Sequence, residues 1–310
     1  MPDPKQYVSQ RALLAKAGIE ESMGKDFLAE LERLFLISRQ VLAGKLRAER
    51  RTKKRGSGLE FAEHREYNMG DDFRHIDWNL YGRLEKLFVR LYEEEEDIPV
   101  YVMFDVSASM LEGTPIKAVH AFRIASALAY VALAHLDRAT MLPFTAAMEQ
   151  LTPPGRGKGR MFKMFHNIRN ARLGGVTDLA QATRSFVFRR PRRGTVVLIS
   201  DFLTSEGYED AINLLRYHRY RVIVVQVLSP QELAPKLTGD VELLDVETGQ
   251  TRSITVTANL LRAYLAELEK YTDGLRTFCQ DHAIPYFLSP TNQPLETLML
   301  DVFRKGGFLR

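Results

Sequence analysis

Apolar positions along the chain fall into two rhythms. The first is the short unbroken run. Ile98 to Asp105 (IPVYVMFD), Thr140 to Phe144, Thr195 to Ser200 (TVVLIS), Val222 to Leu228 and Pro285 to Leu288 are rich in β-branched and aromatic residues. Runs of this kind predict strands covered on both faces. The second rhythm repeats every three to four residues. Phe27, Leu28, Leu31, Leu34, Phe35, Val41 and Leu42 share one face of a helix predicted over Asp26 to Leu46. Further helices are predicted over Lys117 to Asp137, Met161 to Ala171, from about Asp178, Glu206 to Arg219, Leu260 to Asp281 and Leu295 to Phe303. Leu87 to Tyr92 reads as a strand, and Val241 to Val246 with Thr251 to Val256 flank Thr248-Gly249 as a hairpin near the sheet edge. Strands alternating with helices imply right-handed crossovers. The predicted fold class is α/β, a doubly wound, mostly parallel sheet with an N-terminal extension.

The pattern divides the chain into three parts: residues 1–58, a loose arm, an amphipathic helix and a basic linker; residues 59–97, a dense segment expected to pack on the main domain; and residues 98–310, the α/β domain. The one cysteine, Cys279, excludes an internal disulfide framework and suits a reducing compartment. The N-terminus MPDPKQYVSQ is polar, with no signal-peptide core. Ala121 to Leu136 is interrupted by Arg123 and His135 and reads as too short and polar for a bilayer. The expectation is a cytoplasmic protein with no integral membrane segment.

The net charge of +4 is small but unevenly spread. Lys45, Arg47, Arg50, Arg51, Lys53, Lys54 and Arg55 meet a single acid, Glu49, and Arg189, Arg190, Arg192 and Arg193 surround Pro191. Neither cluster has interleaved aromatics, and both lie at element boundaries. They read as solvated linkers, which leaves nucleic-acid binding through residues 45–55 as the lesser alternative. Between Leu59 and Trp78, Arg65, Asp71, Asp72, Arg74 and Asp77 crowd around the Met69-Gly70 turn. Planar guanidinium forks beside carboxylates suggest a hydrogen-bonded structural clamp.

Candidate chemistry gathers at strand ends. Asp105, Ser107 and Ser109 alternate just past the first buried strand, so their oxygens point the same way. That is where open α/β sheets place ligands, and hard oxygen donors suit Mg²⁺ or Mn²⁺. The plain alternative is that the two serines cap the turn into the next helix. Thr177 follows Gly174-Gly175, where it can equally be a helix N-cap, and Asp201 ends the TVVLIS strand.

In the order DxSxS, Thr-Asp, strand-Asp, these five residues resemble the metal-ion-dependent adhesion site of von Willebrand factor A domains. The resemblance implies that Ser107, Ser109 and Thr177 supply oxygens, that Asp105 and Asp201 bind Mg²⁺ or Mn²⁺ directly or through water, and that a partner's acidic side chain completes the shell. Phe61, Arg65, Tyr67, Gly70-Asp71-Asp72, Arg74, Ile76-Asp77-Trp78, Arg83 and Arg90 resemble the signature of a bacterial domain-of-unknown-function family, number fifty-eight, whose members carry such a domain. The likeness runs from about residue 25 to the C-terminus. It implies a MoxR-type AAA+ ATPase as partner, in chaperone-like complex assembly or cofactor insertion.

Enzyme readings fit less well. A haloacid-dehalogenase phosphatase resembles DxDx[TV], and here Ser107 stands where its general acid belongs. No GxSxG elbow exists for a serine hydrolase, and one cysteine with scattered histidines makes poor zinc ligands. A metal-dependent phosphohydrolase remains the enzyme alternative to a non-enzymatic interaction module.

Overall fold

The computed structural model describes residues 4–50, 61–92 and 98–305, apart from Leu136, Ala147, residues 149–151, Arg190, Ser205 and Thr248. Its elements in chain order are α1 (Pro4–Glu21), α2 (Lys25–Arg50), β1 (Phe61–Glu66), α3 (Trp78–Leu84), β2 (Phe88–Tyr92), β3 (Val100–Asp105), α4 (Lys117–Ala134), β4 (Ala139–Phe144), α5 (Arg160–Arg169), α6 (Leu179–Phe188), β5 (Thr195–Ser200), α7 (Glu209–Tyr217), β6 (Arg221–Leu228), α8 (Pro230–Leu233), β7 (Gly239–Leu244), β8 (Thr251–Val256), α9 (Ala258–Asp281), β9 (Tyr286–Pro290) and α10 (Leu295–Lys305). They fall into two compact units, Met1–Leu42 with Ile98–Arg310, and Ala43–Asp97.

The larger unit is built on a five-stranded parallel sheet in the order β4-β3-β5-β6-β9. The order turns back at β3, since β4 lies on one side of it and every later strand on the other. Alternation along β3 sends Val100, Val102 and Phe104 into a core shared with α1, α2, α4, α5 and α10. Tyr101 and Met103 enter a second core with residues of α6, α7 and α9. Helices on both faces make the sheet doubly wound, as the continuous apolar runs imply.

Three features differ from the sequence reading. Residues 4–21, expected as a loose arm, form α1. It buries Ala15 and Ile19, and a Cβ at Gly18 would lie 3.0 Å from Val119 Cγ2. Small residues let α1 approach α4 closely, but they give little amphipathic contrast to read. Lys45 to Arg50, read as linker, are the last turns of α2, while residues 51–60 and the acidic run Glu93 to Asp97 lie outside the described residues. The hairpin stands apart from the main sheet as a two-stranded sheet of its own, because β9 takes the place beside β6. Among the described residues, α4 alone is long and apolar enough to cross a membrane, and most of it is buried inside the protein.

In the smaller unit β1 and β2 pair antiparallel. Asp77 accepts hydrogen bonds from the Asn79 and Leu80 amides and so caps α3. Arg65 bonds Asp71 at 2.8 Å, Arg74 forks onto Asp72, and Asp77 also receives Arg90 at 2.8 Å and His64 at 3.0 Å.

Candidate functional site

β3 and β5 end side by side at the place where the strand order reverses, the position at which open α/β sheets form their binding crevice. Asp105 closes β3 and is fully buried. Its Oδ1 accepts the Ser107 amide at 2.9 Å and its Oδ2 accepts the Ser200 hydroxyl at 2.7 Å. Ser107 and Ser109 lie with their hydroxyls 3.2 Å apart, on the same side of the chain as their alternation requires. Asp201 follows β5 and is also buried. Its Oδ1 accepts the Leu203 amide, and its carbonyl accepts the Gln226 amide nitrogen at 3.0 Å. Gln226 in turn accepts the Tyr286 hydroxyl at 2.6 Å. Phe202, next in the chain, holds a left-handed φ of 60°, a conformation costly for a side chain of its size.

Thr177 stands on a loop tied to the Asp105 turn by two backbone bonds. Gly174 donates to Val106 at 2.7 Å, and Gly175 accepts from Ala108 at 2.8 Å. Both glycines have positive φ, near 93° and 102°, which side-chain-bearing residues rarely adopt. Thr177 is not the helix cap: Asp178 caps α6 through the Gln181 amide. The hydroxyl of Thr177 donates instead to Glu247 at 3.1 Å.

Four residues in this neighbourhood carried no functional reading in the sequence: Lys117, Ser200, Glu232 and Glu247. Lys117, the first residue of α4, is 1 % exposed and donates to Asp201 Oδ2 at 2.8 Å and to Glu232 Oε1. Burial alone would lower its ammonium, but the charges and hydrogen bonds of Asp201 and Glu232 outweigh burial and hold it above the ordinary lysine range. Ser200 could have been suspected as a hydroxyl beside a strand-end aspartate. Nothing in the hairpin sequence singled out Glu247.

The donor set suits a hard divalent cation. Two carboxylates and three hydroxyls present oxygen only. Among the described residues there is no group of three or more His, Cys, Asp or Glu side chains placed for a metal, so the candidate set rests on its hydroxyls as much as on its two carboxylates. Lys117 takes one oxygen of Asp201, so that carboxylate is not the free charge its sequence position suggests. Among the described residues, Asp105 has only neutral donors around it. Burial first, and the charge of Asp201 second, raise its carboxyl well above the ordinary carboxylate range. A buried acid without a neutralising partner is a place where a cation gains most.

Of two serine–histidine contacts among the described residues, Ser38 with His135 at 3.2 Å and Ser289 with His120, the second sets His120 Nε2 2.9 Å from Ser289 Oγ. Both residues are buried, and burial lowers the imidazole to about 4.

The family described as "Protein of unknown function DUF58" matches residues 63–272. An uncharacterized protein of Mycobacterium tuberculosis is 30% identical over 235 residues, covering 74% of this chain and 73% of the relative. An uncharacterized protein of Mycobacterium avium is 40% identical over 85 residues, 27% of this chain and 48% of the relative. Among solved structures, an aerotolerance-related membrane protein from Bacteroides fragilis is similar with a TM-score of 0.41 and 18% identity, over 67% of this chain and 98% of that one. The conserved hypothetical protein BatB from Bacteroides thetaiotaomicron has a TM-score of 0.38 and 16% identity, over 67% and 98%.

Proposed function

The chain belongs to the family described as "Protein of unknown function DUF58", and from that premise we propose that it is a non-enzymatic, divalent-metal-dependent protein-interaction module. One observation carries the reading. Asp105, buried and without a cationic partner among the described residues, stands at the reversal of strand order together with Ser107, Ser109, the Thr177 loop and Asp201. Asp105, Ser107, Ser109, Thr177 and Asp201 would hold Mg²⁺ or Mn²⁺, which would supply a positive centre able to attract an acidic side chain from outside. The chain's own residues do the rest. The paired glycines fix the Thr177 loop, Ser200 orients Asp105, and Lys117 holds one oxygen of Asp201 at 2.8 Å. The resemblance in the upstream signature makes a MoxR-type AAA+ ATPase the proposed partner, contacted through such an acid.

The test is thermal unfolding of wild type, Asp105→Ala and Asp201→Ala during Mg²⁺ and Mn²⁺ titration. Metal at a hundred times its dissociation constant stabilises the native state by about 2.7 kcal/mol, and only the wild type should respond. Equal behaviour of all three proteins overturns the metal reading. ATPase capture that survives both a chelator and Asp105→Ala overturns the metal-bridged contact.

A further inference from the structure

The acid already touching the site comes from the chain itself. β7 and β8 leave the main sheet between β6 and α9, and their turn carries Glu247 to Thr177, seventy residues away in sequence. The turn is built to hold that glutamate out. Glu247 N donates to Asp245 Oδ1 at 2.9 Å, Gly249 N donates to the Asp245 carbonyl at 2.8 Å, and Asp245 N donates to the Gln250 carbonyl at 2.8 Å. Glu247 itself is half-buried. Its Oε1 takes the hydroxyl of a candidate metal ligand, and the carboxylate of Asp201 is near enough to act on it. Behind the turn, the hairpin is not packed solidly onto the body. A groove of 590 Å³, lined by Thr114, Leu237, Leu243, Ile254, Leu260 and Tyr264 among others, separates its strands from the start of α9 and the loop before α4. Two six-residue strands with mostly exposed side chains form a sheet that is marginal alone.

We propose that Glu247 is a tethered acidic ligand, occupying from within the chain the position that an outside carboxylate takes at the metal. This rests on the metal reading of the preceding section and assigns its regulation. In the resting protein the hairpin fills the open coordination position, and a partner's acid binds by displacing Glu247 as the hairpin swings over the groove. The site is then selective as well as closed. A lone weak carboxylate competes poorly with an acid held at high effective concentration, whereas a partner that engages the site and a second surface together can displace it.

The experiment is Mn²⁺ titration of the full chain, with free Mn²⁺ followed by electron spin resonance and bound Mn²⁺ by water-proton relaxation. Wild type, Asp105→Ala and Glu247→Gln are compared. Glu247→Gln should bind Mn²⁺ about tenfold more weakly, in the range seen when groups supporting a metal are removed. Its bound Mn²⁺ should relax water protons faster, because a water takes the vacated position. Added acetate should bring that relaxation back down in Glu247→Gln and leave wild type unchanged. Glu247→Gln with wild-type affinity and relaxation, while Asp105→Ala loses Mn²⁺, overturns the tethered ligand and leaves the metal site standing. Absence of Mn²⁺ binding in wild type and Glu247→Gln alike overturns both.

Discussion

Two of the charge clusters in this chain each set a cation against carboxylates, yet they behave differently. In one, Lys117 joins Asp201 and Glu232 with the lysine 1 % and Asp201 2 % exposed. In the other, Arg74 forks onto Asp72 with the arginine 79 % exposed. Water screens the second pair and leaves it little net worth, while Lys117 and Asp201 in the first are shut away from solvent. Ordering by sequence density would rank them the other way round, since the Leu59–Trp78 stretch is crowded with charge and Lys117 stands alone. Charge matters where the fold removes water.

The largest break in this comparison is Lys117→Met. Leaving Asp201 and Glu232 without their cation should cost about 3 to 5 kcal/mol, measured by urea unfolding without divalent metal. Added Mn²⁺ should return part of it, since a second cation then faces Asp201. Asp105→Asn comes next and runs in the opposite direction. It removes a buried charge repelled by Asp201, so the metal-free protein should unfold at a higher temperature than wild type at neutral pH, while its response to Mg²⁺ disappears. The sign follows from the raised carboxyl. The folded state holds that proton more tightly than the unfolded chain, so lowering the pH from neutral favours folding at this residue.

Asp77→Ala sharpens the comparison from the other side. Asp77 is little exposed, caps α3 and receives Arg90 and His64, so a smaller but measurable loss is expected, read by hydrogen exchange across residues 61–92. Hydrogen bonds from Arg90 first and His64 second hold its carboxyl well below the ordinary carboxylate range. Its contribution is therefore present above about pH 3.9 and is lost only as the pH falls further. The smallest effect belongs to Arg74→Ala, which should leave the unfolding midpoint unchanged within error. A drop matching that of Lys117→Met would end the distinction between the clusters.

How much of this was legible beforehand depended on whether a residue's role is local. β3 and β5 were readable because a strand buried on both faces has to be apolar throughout, and Asp105, Ser107, Ser109 and Asp201 mark where those runs stop. Thr177 was readable as a site candidate, although the capping alternative fell to Asp178. Lys117 and Glu247 were not legible. A lysine opening a helix ordinarily faces solvent, and only the approach of α8, with its capping-box Glu232, encloses this one. Glu247 gains meaning from a contact seventy residues away. α1 escaped notice because Ala15 and Gly18 pack through smallness, which leaves almost no hydrophobic contrast in sequence.

The side-chain amide of Gln226 deserves a last consequence. With its oxygen committed to Tyr286 and its nitrogen to the Asp201 carbonyl, it can adopt only one of its two flip states. Three strands are thereby geared together, from the rim strand β9 through β6 to the end of β5. Loss of a single phenol oxygen in Tyr286→Phe would free the amide to rotate and slacken the backbone beneath Asp201. The aim of that carboxylate is thus governed partly from the outer edge of the sheet.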